Sequence, residues 1–311
     1  MRYDVRFPSN GLTIAGHLYL PDDGVTARRS AIVIGHMMGA VKEQSPTIYA
    51  ERLTHEGFVA LTFDAAHWGE SAGEPRLLED PFQRSEDVRA AVSFLTTREE
   101  VNQEHIGALG ICASGGYVPF AAQTDHRIKA VATVSAVCIG RMFRFGVDGK
   151  QSEGATQPML AEAAVDRNKE ARGYAARTVQ LVPPTEQAAE SFPPNSMFRE
   201  AYSYYCTPRG QHPRSVGKWV PRSIDRLAQY DSYDLIRLIS PRPLLMIAGT
   251  KADTSHFSSE AIAKAQEPKE LSWIEGATHI DLYDKDPYVP NAVEKLSGFF
   301  RDHLGGRAKR A

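Results

Sequence analysis

Cysteine is scarce in this 311-residue chain: Cys112, Cys138 and Cys206 are the whole set, and no two stand in C-x-x-C spacing. That argues against a disulfide scaffold and against a cysteine-based zinc or redox site, and three free thiols in a reducing, cytoplasmic setting are expected. Charge of one sign is not in excess: 36 Lys and Arg face 38 Asp and Glu, a formal charge of −2. Such a balance gives no electrostatic footprint for nucleic acid or an anionic membrane. The basic run Arg307-Ala308-Lys309-Arg310 reads as a solvated tail. No apolar stretch reaches the roughly 18–20 residues of a membrane span. Met1-Arg2-Tyr3-Asp4-Val5 lacks an apolar h-region, so no secretory signal is expected. Internal repeats and low-complexity tracts are absent. What remains is 42% hydrophobic and 24% charged, an ordinary globular composition, and long enough to build a core unaided. No cofactor or metal is expected.

Hydrophobic periodicity gives the organisation. Residues 12–20 alternate Leu12, Ile14, Gly16, Leu18 and Leu20 on one face, the period of a half-buried strand, and residues 2–7 precede it as another. Continuous apolar runs at 30–35 and 58–63 suit strands buried on both faces of a parallel sheet. Further strands are expected at 105–111, 128–137, 244–248 and 271–274. Helices are expected over 45–55, 85–95, 113–123, 259–265 and 291–303. Alternating strands and helices imply right-handed crossovers and an α/β fold with a mostly parallel sheet. The rhythm breaks between 139 and 221, where Pro183-Pro184, Pro193-Pro194, Pro208 and Pro213 mix with many aromatics. A structureless stretch of that length is uncommon, so a helical lid or cap over 139–221 is expected, inserted in a core of 1–138 and 222–311.

The strongest local signal is Gly110-Ile111-Cys112-Ala113-Ser114-Gly115-Gly116, between an expected strand and an expected helix. A nucleophile on so sharp a turn needs small residues two positions to either side, where larger ones would collide with the strand or helix. Cys112 fits, flanked by Gly110 and Ser114. Ser114 as nucleophile, flanked by Cys112 and Gly116, is the alternative register, set two residues further into the helix. A thiolate nucleophile needs a base and an orienter for that base. His279, in Gly276-Ala277-Thr278-His279 after the last strand, is the candidate base; Asp253, just past the strand at 244–248, is the candidate acid. Glu260 and Asp281 are weaker candidates for the acid. Backbone N–H groups of Ala113 and Met38 are expected to face a developing oxyanion, because His36-Met37-Met38-Gly39 follows the strand at 30–35. Met37, His36, His67, Trp68 and Tyr205 are candidate pocket residues.

The chain resembles the α/β-hydrolase superfamily throughout, and taken together Val41-Lys42-Glu43-Gln44, Asp64-Ala65-Ala66, the 110–117 run and Tyr205-Cys206-Thr207-Pro208-Arg209-Gly210 resemble runs of particular bacterial and fungal members of it. The cysteine in the turn is similar to that of dienelactone hydrolases. A closer similarity is to bacterial hydrolases and to fungal polyketide transferase and thiohydrolase relatives. The chain departs from dienelactone hydrolases in its long insertion and in Ser114, where glycine is usual. The resemblance implies an α/β-hydrolase fold with a Cys112–His279–Asp253 triad. It implies cleavage or transfer of an acyl group from a fairly apolar small-molecule or polyketide-like ester or thioester. The acyl donor as a carrier- or CoA-linked species, and a homodimer, stay open. A non-catalytic binding protein of the same fold is the alternative from another class. The lid is expected to favour medium-sized apolar or aromatic acyl groups over acetate.

Overall fold

Asn10 and Gly11 both take left-handed backbone angles, φ 45° and 78°, and fold the first two strands into a tight hairpin. These are β1 (Arg2–Ser9) and β2 (Leu12–Tyr19), paired antiparallel. The structure, a computed structural model, describes residues 1–25 and 27–305, so the basic run at 307–310 lies outside the described residues. After β3 (Arg29–Gly35), α1 (Ser45–His55) starts with Pro46 in its first turn and stops where Gly57 takes φ 97°. Then come β4 (Val59–Phe63), α2 (Pro81–Thr96), β5 (Val101–Ile111), α3 (Ser114–Ala122) and β6 (Ile128–Val134).

Helix α2 begins four residues before the expected 85. Asp80 caps it, its side chain accepting from the Phe82 and Gln83 backbone N–H groups, and Pro81 occupies the first turn. Strand β6 ends at Val134 rather than 137, because Ser135 turns left-handed at φ 48°.

Between β6 and the next core strand lie α4 (Ile139–Phe145), α5 (Gln157–Ala171), β7 (Val179–Gln180), α6 (Glu186–Glu190), α7 (Met197–Tyr205), β8 (Lys218–Trp219) and α8 (Ile224–Leu227). They form a lid-like region. Its aromatics divide: Tyr204 and Tyr205 are buried and Phe143 stacks on Trp219 at 4.9 Å, whereas Tyr174 is exposed. The chain then returns to the sheet with β9 (Leu244–Gly249), α9 (Ser255–Lys264), β10 (Lys269–Ile274), α10 (Asp281–Asp284) and α11 (Tyr288–Leu304).

The main sheet has the order β1-β2-β4-β3-β5-β6-β9-β10. Within this sheet the pairings of β2 are antiparallel and those among β4, β3, β5, β6, β9 and β10 are parallel; β7 and β8 pair antiparallel apart from it. Burial follows this order. β4 is buried throughout and β3 nearly so, whereas the edge strands β1 and β10 are half-exposed. Crossover connections place the carboxyl ends of the parallel strands on one rim, where open α/β sheets present their functional loops.

Candidate active site

β5 delivers Cys112 to that rim. Its backbone sits at φ 53°, a left-handed conformation that costs a non-glycine residue of order 1–3 kcal/mol. The turn is held from several directions. Cys112 N–H donates to Val134 at 3.0 Å, and the Cys112 carbonyl accepts from Gly115 at 2.8 Å and Val137 at 3.0 Å. The demand for small neighbours is literal: a Cβ on Gly110 would lie 2.0 Å from the Ser114 carbonyl oxygen, and one on Gly115 2.6 Å from Ala136. Ser114 opens α3, and its buried hydroxyl is engaged with the loop after β3, donating to the His36 carbonyl at 2.6 Å. Cys112 is 7% exposed, and burial pushes its thiol up to about 11.

His279 lies between β10 and α10, fully buried. Its carbonyl accepts from the Ser135 hydroxyl at 3.0 Å, so the early end of β6 helps fix this loop. The imidazole is held at both nitrogens: Nδ1 lies 2.5 Å from Thr254 Oγ1 and Nε2 lies 3.0 Å from the Tyr283 hydroxyl. Burial drives its pKa down to about 3, so the ring is neutral. With Nδ1 donating to Thr254, Nε2 is left to accept from Tyr283. Tyr283 also lines the cavity over Cys112, which brings its ring to the same space as the thiol.

Asp253 is next to Thr254 but is engaged elsewhere. Its Oδ2 accepts from the Met197 backbone N–H at 3.0 Å, at the start of α7, and its Oδ1 is buried without a partner. The structure therefore holds Asp253 off His279, with the Thr254 hydroxyl on Nδ1. The other two carboxylates considered also turn away. Glu260 pairs with Arg141 and His256, and Asp281 accepts from Thr278 N–H and pairs with Lys285.

The loop after β3 is anchored by His36. Its Nδ1 donates to the Met37 carbonyl at 2.6 Å, and its Nε2 accepts from Ala65 N–H at 3.0 Å. The His36 carbonyl accepts from Arg84 at 2.7 Å. Burial, with Arg84 beside the ring, holds the His36 pKa well below the ordinary value. The loop thus joins β4, α2 and α3. Among the described residues, no hydrogen-bond acceptor is seen for the Met38 N–H, and Ala113 follows Cys112 at the head of α3.

Met38 and Tyr205 line a cavity of about 50 Å³ over Cys112, walled also by Met142, Leu181, Phe198 and Tyr283. His36, Met37, His67 and Trp68 are buried outside that lining. His36 and Met37 support the loop from below. His67 takes φ 72° in a turn and sits 3.1 Å from the Pro75 carbonyl through Nδ1. Sequence reasoning missed Tyr283 and Thr254. Tyr283 was findable as the fourth residue after His279, the spacing that brings side chains together on a helical turn. Thr254 carried no signal beyond its place beside Asp253.

A mostly parallel sheet with this turn after β5 and a histidine after the last strand constitutes an α/β-hydrolase fold. The profile of the dienelactone hydrolase family matches residues 14–137. The chain is 37% identical over 295 residues to the uncharacterized protein YcjY of Escherichia coli (strain K12), covering 94% of this chain and 95% of YcjY. The crystal structure of the hypothetical protein PA2218 from Pseudomonas aeruginosa superposes with a TM-score of 0.90 at 36% identity, over 97% of this chain and 94% of that one. The polyketide transferase grgF of a Penicillium species is 24% identical over 312 residues, 97% of each chain. The chain belongs to the dienelactone-hydrolase-like family of α/β-hydrolases.

Proposed function

We propose that this protein cleaves or transfers acyl groups from small, fairly apolar esters or thioesters, through a thioester formed on Cys112. The observation that carries the reading is the left-handed Cys112, its sulfur facing an apolar cavity beside a buried, neutral imidazole. In this reading His279 receives the thiol proton and Cys112 attacks the carbonyl carbon. The oxyanion is met by the N–H groups of Ala113 and Met38. The leaving group departs with the proton, and water or an alcohol resolves the thioester. Apolar lining around the sulfur favours an apolar acyl group, and the name of the Penicillium relative, a polyketide transferase, agrees with acyl chemistry. Ligand pockets usually measure about 300 Å³ or more. The cavity over Cys112 measures about 50 Å³, so in this reading lid side chains such as Tyr205 and Phe198 shift to admit an acyl group.

The test is covalent trapping. Brief exposure to a butyryl thioester or to a p-nitrophenyl ester should add one acyl mass, and peptide mapping should find it on Cys112. Acyl mass on Ser114, or none on any residue of an active preparation, would overturn the reading. We also assign the acid to Asp253, whose free Oδ1 can turn to His279 once Met197 N–H releases the other oxygen. Asp253→Asn is expected to lower kcat about tenfold or more, and Thr254→Val by less. The reverse order would make the Thr254 hydroxyl the orienter and remove the carboxylate from the scheme.

A further inference from the structure

The histidine nitrogen that should face the nucleophile is already taken. His279 Nε2 is 3.0 Å from the Tyr283 hydroxyl. Among the described residues no direct hydrogen bond joins Nε2 to the Cys112 sulfur. Tyr283 is buried in the short α10, its ring packed against the His279 ring at 5.5 Å and against Tyr204 at 5.2 Å. Its hydroxyl is hydrogen-bonded to His279 Nε2, and Tyr283 lines the small cavity over Cys112 together with Tyr205.

We propose that the Tyr283 hydroxyl is a catalytic proton relay between the Cys112 thiol and His279 Nε2. The inference rests on the acyl-transfer reading above. In the acylation step the Cys112 S–H proton moves to the Tyr283 oxygen as the Tyr283 O–H proton moves to Nε2. The S–C bond forms, and the carbonyl π pair moves onto oxygen. When the adduct collapses, the bond to the leaving oxygen or sulfur breaks. The imidazolium proton returns by the same route, Nε2 to Tyr283 and Tyr283 to the leaving atom. Tyr283 ends as it began, so no further reactant is consumed. A relay that hands on one proton as it accepts another never carries the charge of a free phenolate. This matters because burial pushes the Tyr283 pKa well above the ordinary value. Among charged groups, Arg84 favours the thiolate and Glu79 opposes it. Neither is a member of the proposed chain.

The alternative is that Tyr283 occludes the base and must swing away before His279 can act. The two predict opposite outcomes. With a relay, Tyr283→Phe keeps the ring packing and lowers the single-turnover acylation rate of Cys112 by about 10²-fold. The rate in mixed light and heavy water should be a curved function of the deuterium fraction in the wild-type protein, because two protons move, and a straight line in Tyr283→Phe. Unchanged or faster acylation in Tyr283→Phe would overturn the relay, while acyl mass on Cys112 would leave the acyl-transfer reading intact. Should Tyr283→Phe fail to fold, a straight line for the wild-type protein alone overturns the proposal. Failure of wild-type Cys112 to acylate at all would instead sink the reading on which the relay rests.

Discussion

Cys112→Ala should lose acyl turnover by about 10³-fold or more while unfolding within about 1 kcal/mol of the parent. The small stability effect follows from the backbone. Alanine keeps the Cβ that makes φ 53° unfavourable, so the strain is the same and only sulfur contacts are lost. Cys112→Gly should be equally inactive but more stable than Cys112→Ala, since glycine adopts that conformation freely. Ser114→Ala provides the contrast. It removes one hydrogen bond to the His36 carbonyl, worth about 1 kcal/mol, and leaves the thiol in place. Activity measured beside urea denaturation separates the three. A Cys112→Ala protein that still turns over, or a dead and stably folded Ser114→Ala, would move the nucleophile.

The second large effect is on stability. Lys42→Met should cost about 3–5 kcal/mol at neutral pH, read as a lower urea midpoint at unchanged slope. Lys42 is 1% exposed, and its ammonium lies 2.9 Å from the fully buried Asp64, with Glu43 at 2.8 Å and Glu70 at 2.6 Å. Removing the lysine leaves the Asp64 carboxylate in a dry setting with its backbone partners Lys42 N–H and Glu70 N–H but no counter-charge. Burial already pushes the Asp64 carboxyl upward, against the pull of Lys42. Without Lys42 its folded pKa rises further above the unfolded value. The penalty is therefore full at pH 7 and shrinks as the pH falls and Asp64 takes up a proton. A loss that stays constant down to pH 4 would mean that Lys42 stabilises by packing rather than by charge. Because Lys42 sits in the loop that carries Met38, its loss should also loosen the expected oxyanion donor.

Much of the fold is legible in the amino-acid sequence. Apolar runs locate β3, β4, β5 and β9 because strands buried on both faces leave no room for polar residues. The turn at Cys112 is legible because close packing dictates glycine at 110 and 115. Boundaries set by single polar residues are less visible, as with the Asp80 cap of α2 and the left-handed Ser135 that ends β6. The site divides along the same line. Chain order points to Cys112 and His279, since loops on one rim are fixed by topology. Which groups then touch His279 is decided by side-chain rotations, and there the sequence carries little. Asp253 precedes Thr254 by one residue, yet one meets an α7 N–H and the other the imidazole. Prolines and aromatics mark the insertion, but not which aromatics turn inward.

The burial of Cys112 also bears on how the protein withstands oxidants. Peroxides attack the thiolate, and burial that pushes the Cys112 thiol up to about 11 keeps that form scarce at neutral pH. Sulfenic acid formation, the first step toward irreversible over-oxidation, is correspondingly slow. If Cys112 is the nucleophile proposed above, it is thus kept between encounters with substrate in its least oxidisable form, with all three cysteines free thiols.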